Sequence, residues 1–174
     1  MKLLRYLMIY GLFILGSAGV IITIIGETIE ERNYLNYPPR SWEKFDPQLV
    51  QEITSYKSFI QKSSQLIAMS QAKTEQEKML VLYHLVTNYF THGDQAKHNL
   101  YSNWIMSLVG VFYPMGNFIR VPEAIVNNGH SALCSQQSRV LGALASNFGV
   151  NYRLIDLQGH VVVEVWYNDD MAYV

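Results

Sequence analysis

Between Arg5 and Glu27 the chain carries no charge: residues 6 to 26 read YLMIYGLFILGSAGVIITIIG. At about 1.5 Å per residue, a helix of this length crosses the roughly 30 Å hydrocarbon core of a bilayer. Lys2 and Arg5 precede the stretch, and Glu27, Glu30 and Glu31 follow it. Positive residues stay on the cytoplasmic side, so everything downstream is expected outside the cytoplasm. A cleaved signal peptide is the competing reading, because Gly16-Ser17-Ala18 offers small residues at a suitable place. The apolar run continues through Val20-Ile21-Ile22-Thr23-Ile24-Ile25, which favours a retained anchor. A buried core helix fits poorly, since a helix apolar on every face is rare in a small domain.

The expected organisation is an anchor over residues 1 to 26, a spacer over 27 to 47 and a domain over 48 to 174. The whole chain of 174 residues leaves room for one ordinary domain. Thirteen Lys and Arg against 14 Asp and Glu, with no basic run, give no footprint for binding nucleic acid. An apolar content of 49% excludes disorder. The single cysteine excludes an intrachain disulfide and any multi-cysteine zinc site.

Pro38-Pro39 and Asp46-Pro47 punctuate the spacer. Leu49, Val50, Ile53, Tyr56, Ile60, Leu66 and Ile67 predict an amphipathic helix over 48 to 69. Thr74 with Glu77 forms a capping box that opens a second helix, whose apolar face runs from Met79 to Phe90 and which is expected to end at Gly93. Residues 98 to 119 are uncharged but interrupted by His98, Asn103, Pro114 and Gly116, which predicts a buried or cleft-covering segment and not a second span. A third helix is expected over Ser131 to Asn147. Strands follow over Asn151 to Leu157 and His160 to Tyr167, joined by Gln158-Gly159, with another beginning at Met171. Helices first and an antiparallel meander after them make an α+β fold.

Cys134 falls in the first turn of a predicted helix, where backbone N–H groups and the helix dipole favour thiolate over thiol. A thiolate attacks an acyl carbon, and the same N–H groups can hold the developing oxyanion. His160 opens a strand that can lie beside this helix, and so is the candidate base. His130, four residues before Cys134, is as well explained as a neighbour of the helix start. His84 reads as a solvated or packing residue. His92, Asp94 and His98 match no strong metal-ligand spacing. By itself a lone helical Cys is more often a small buried hydrophobe, and a strand His is usually just hydrogen-bonded.

Four stretches are more specific: Val121-Pro122-Glu123-Ala124-Ile125-Val126, the Cys134 helix, Phe148-Gly149-Val150-Asn151-Tyr152-Arg153, and His160-Val161-Val162-Val163-Glu164-Val165. Together they resemble the transglutaminase-like core of the papain-type cysteine enzymes, over about residues 74 to 174. The resemblance implies helices packed on an antiparallel sheet, Cys134 as nucleophile and His160 as base, with Arg153 and Glu164 at framework positions. Two positions depart from the pattern: Ala132 stands where Gly is usual and Val162 where Trp is usual. They bear on substrate type more than on fold. The orienting Asp or Asn of the family is expected just beyond Val174, on a strand the sequence only begins, because Asp169 and Asp170 fall in a turn.

The expected function is a membrane-anchored, extracytoplasmic thiol acyl-transfer enzyme, a peptidase, amidase or transglutaminase-like protein. Its substrate would be a protein, peptide or other amide, with no metal or organic cofactor. The rival is a non-catalytic domain of the same fold that binds an envelope protein or a polysaccharide-assembly partner. A thiol redox switch through Cys134 is a third reading. Glu164 is expected in a framework salt bridge, and the 12 Tyr and 3 Trp in core and interface packing or in lining a cleft.

Overall fold

The computed structural model describes residues 2–28, 38–93, 96–98, 100–167 and 170–173. It divides into two compact units, Met1–Glu31 with Lys97–Phe118, and Arg32–Ala96 with Ile119–Val174.

The first unit is built on α1 (Lys2–Thr28), of which Lys2–Ile25 is long and apolar enough to cross a membrane. This helix is either a membrane anchor or a signal sequence. Packed on it is α5 (Leu100–Phe112), which breaks at Asn103, where φ is −165° and ψ 92°. The Asn103 side chain accepts the Met106 N–H at 3.0 Å, capping a regular helix that runs from Trp104 to Phe112. A 3₁₀ turn at Pro114–Asn117 then carries the chain back. The excursion closes where Lys97 and Phe118 pair in an antiparallel bridge and the His98 N–H donates to the Asn117 carbonyl at 2.9 Å. The Trp104 indole lies so close to Gly19 that a Cβ there would sit 2.1 Å from the ring. The expectation of a buried segment is corrected here. Phe112 is 89% exposed and Val111 73%, because apolar residues surround the whole turn while only one stripe can face α1.

The second unit is α+β. Its helices are α2 (Pro47–Glu52), α3 (Tyr56–Ser70), α4 (Glu75–Tyr89), α6 (Pro122–Asn127) and α7 (Cys134–Asn147). Two short strands, β1 (Thr91–His92) and β2 (Ser131–Ala132), pair in parallel. The strands β3 (Tyr152–Leu157), β4 (His160–Tyr167) and β5 (Asp170–Tyr173) form an antiparallel sheet in that order. Gln158 and Gly159 both have positive φ, 53° and 96°, as the tight two-residue turn between β3 and β4 requires.

Three predicted boundaries move. The single helix over 48 to 69 is two, because Ser55 and Ser58 cap α3 reciprocally and Ile53 is extended. The capping box at Thr74 and Glu77 is present, but α4 stops at Tyr89 because Thr91 and His92 are drawn into pairing with Ser131 and Ala132. The same pairing delays the third helix from Ser131 to Cys134. Asn168 and Asp169, expected as a turn, lie outside the described residues; Asp170 opens β5 opposite Tyr167.

The core of this unit gathers Phe59, Met79, Leu82, Leu85, Val86, Tyr89 and Phe90 from the helices. Val140, Leu144 and Ala145 of α7 meet them on one side and Val163 and Val165 of β4 complete the core. Phe59 stands edge-on to Tyr89, their centroids 4.9 Å apart. Burying this face holds α4 and α7 together and lays α7 on β3 and β4.

Candidate functional site

Four elements of the second unit converge on a groove of about 370 Å³. Cys134, Gln137, Ser138 and Leu141 approach from α7, and His160, Val161 and Val162 from β4. Tyr83, Val86 and Thr87 of α4 form another wall, with His92 of β1 and Trp42 at the rim. The structure thus brings Cys134 and His160, the two residues singled out from sequence, to one cavity.

Their placement has local causes. Leu133 is extended and precedes the helix, so Cys134 is the first residue of a 14-residue helix, at the positive end of its dipole. Cys134 is half-buried, free of disulfide bonding and open to the groove. One turn on, Ser138 donates its hydroxyl to the Val161 carbonyl at 2.8 Å. Residues four apart share a helix face, so this bond fixes the start of β4, and with it His160, along the face that bears Cys134. His160 itself is exposed.

Behind Cys134 lies a polar residue the sequence reading passed over. Gln136 is only 3% exposed, and its amide is fully engaged. Its Oε1 accepts the Ala96 N–H at 3.0 Å, and its Nε2 lies 2.9 Å from both the Ala96 and Ile119 carbonyls. The Ile119 N–H also donates to the Ala96 carbonyl at 3.0 Å. The first turn of α7 is therefore held to two backbone segments that approach it from distant parts of the chain.

His92 was weighed only as a metal ligand, yet it is a second imidazole in the groove. Its register opposite Ala132 sets it beside the strand that leads into Cys134. The strap before α2 completes this side. Glu43 accepts the His92 N–H at 2.6 Å and the Arg40 N–H at 2.7 Å, and the Asp46 N–H donates to the Asn88 carbonyl at 2.7 Å. Trp42 lies 6.3 Å from the His92 ring, with the Arg40 guanidinium 5.7 Å from the indole centre. A smaller adjoining cavity of about 240 Å³ shares Trp42, Tyr83 and His92 and extends to His84, which is exposed on α4.

The remaining candidates fall elsewhere. His130 stacks on Phe45 at 5.2 Å, outside the groove, and burial pushes its pKa below the ordinary imidazole value. Arg153 and Glu164 are directly paired across β3 and β4 and form the expected salt bridge, with the Arg153 guanidinium also 5.4 Å from the Trp166 ring. Glu164 is fully buried, so this pair braces the sheet and does not face the groove. Among the described residues no group of three or more His, Cys, Asp or Glu is arranged to hold a metal ion.

Chemically, the groove offers a thiol at a helix N-terminus, two imidazoles and an aromatic rim. Comparison with protein-family models, with curated proteins and with solved structures finds no match to this chain.

Proposed function

We propose that this chain is a membrane-anchored thiol acyl-transfer enzyme of the transglutaminase-like type, with Cys134 as nucleophile and His160 as base. The observation that carries the reading is the shared groove: a cysteine at the first position of a long helix and a histidine at the start of the adjoining strand line one cavity. The thiolate attacks an amide carbonyl, the imidazolium gives its proton to the departing amine, and a thioester remains on Cys134. Water then releases an acid, or a second amine releases a new amide. Hydrolysis, and so a peptidase or amidase, is the favoured outcome.

The anchor reading of α1 belongs to the same proposal, with the N-terminus cytoplasmic and the second unit outside. Its support is that the apolar run continues past Ala18 through Ile25 and that α5 packs on this same helix.

Alkylation of Cys134 by iodoacetamide across pH tests the pair. The native thiol is expected to react roughly several-fold faster at neutral pH than an ordinary cysteine thiol. His160→Ala is expected to lose that gain and His92→Ala to keep it. Loss only in His92→Ala would move the base to β1. Equal rates in all three proteins would favour the non-catalytic binding domain.

A further inference from the structure

The excursion that closes at Lys97 and Phe118 is too short to cross a bilayer and too apolar to be an ordinary surface loop. Its regular helix, Trp104 to Phe112, spans about 14 Å, half of a hydrocarbon core. No charged residue occurs from 98 to 119, while Lys97 and Arg120 flank the stretch in sequence. Ile105, Leu108, Val109, Val111 and Phe112 are exposed along it.

What places this surface is its contact with α1. Gly19, where the Trp104 indole rests, precedes the end of the uncharged stretch at Gly26 by seven residues, roughly 10 Å along a helix. If α1 spans the membrane, Trp104 lies within the hydrocarbon of the outer leaflet, and the helix attached to it does too. Backbone in that environment must satisfy its own polar groups. Much of the excursion's backbone is paired in this way, through helical bonds, the Asn103 cap, Tyr113 N–H to the Val109 carbonyl at 2.8 Å and Gly116 N–H to the Tyr113 carbonyl at 2.8 Å.

We infer that residues 103 to 118 form a re-entrant element that enters and leaves the outer leaflet on the same side, its exposed apolar face covered by lipid acyl chains. The inference rests on the anchor reading of α1 and is independent of the chemistry at Cys134.

The test uses the full chain with Trp42→Phe and Trp166→Phe, leaving Trp104 as the one indole, in phosphatidylcholine vesicles. Brominated acyl chains are expected to remove most of its emission, and aqueous iodide little. Quenching by iodide alone overturns the inference, as does protection from both quenchers, which would mean that protein covers this face. Should the double variant misfold, Phe112→Cys in a Cys134→Ser background replaces it. That thiol is expected to label with a membrane-impermeant maleimide as slowly as Ile14→Cys in α1, and far more slowly than Ser64→Cys on the exposed side of α3. Labelling as fast as Ser64→Cys overturns the inference. The mass of the purified chain separates the failures. A chain that has lost α1 overturns the anchor reading and this inference together, whereas an intact chain with an iodide-accessible Trp104 overturns only the inference.

Discussion

His130 illustrates how much a single side chain depends on its surroundings. Burial beside Phe45 disfavours its charged form, so the folded state binds a proton less readily than the unfolded chain. Stability is therefore indifferent to this group above the unfolded value of about pH 6.5 and falls as the pH drops below it, because there the unfolded state holds more protons. His130→Phe, which keeps an aromatic ring against Phe45, is expected to flatten this acid limb; denaturant melts of both proteins between pH 5 and 8 would check it, and parallel curves would refute it. Cys134 and His160 could be picked out in the sequence as candidates because one falls in the first turn of an expected helix and the other follows the tight Gln158-Gly159 turn, although the helix starts at Cys134 and not at Ser131. His92 and Trp42 had no such signal. Their roles depend on the pairing of two-residue strands some forty positions apart and on a carboxylate at Glu43 that reaches across 49 positions to His92.

At the scale of elements, long periodic segments were readable and short ones were not. The helix opened by Thr74 and the strands around Gln158-Gly159 follow from capping, spacing and turn chemistry. β1 and β2 lack any period of their own, since two residues are too few to alternate, and they shifted the boundaries of α4 and α7. Gln136 was opaque for a related reason: a glutamine in a helix reads as solvated until the backbone it satisfies is in view. Its amide serves Ala96 and Ile119, so removing it leaves buried backbone groups unpaired. Gln136→Leu is expected to cost roughly 2–4 kcal/mol in chemical denaturation. It is also expected to loosen the first turn of α7, which hydrogen exchange of the Cys134 to Gln137 amides would record as lost protection.

For the whole molecule, the decisive feature is that one sequence carries two units, one built on a helix long and apolar enough to cross a membrane and one with a core of its own. The 98 to 119 stretch looked like core because it is apolar, and apolar content alone does not say whether a face is buried or exposed. The structure instead groups Lys97–Phe118 with the N-terminal helix. The chain leaves the second unit at Ala96 and rejoins it at Ile119, and these two residues are already hydrogen-bonded to each other and to Gln136. A connection between adjacent antiparallel residues needs only a short turn, so the excursion is topologically dispensable to the fold that holds the groove. Replacing residues 98 to 117 with a four-residue Asn-Gly-type turn is therefore expected to leave the melting of the second unit in detergent within a few degrees of the parent. The pH profile of Cys134 alkylation should be unchanged, while resistance of the vesicle-bound protein to extraction should fall. A variant that loses its cooperative melt would show instead that the groove depends on the excursion for its folding, and that the division into two units does not extend to their stability.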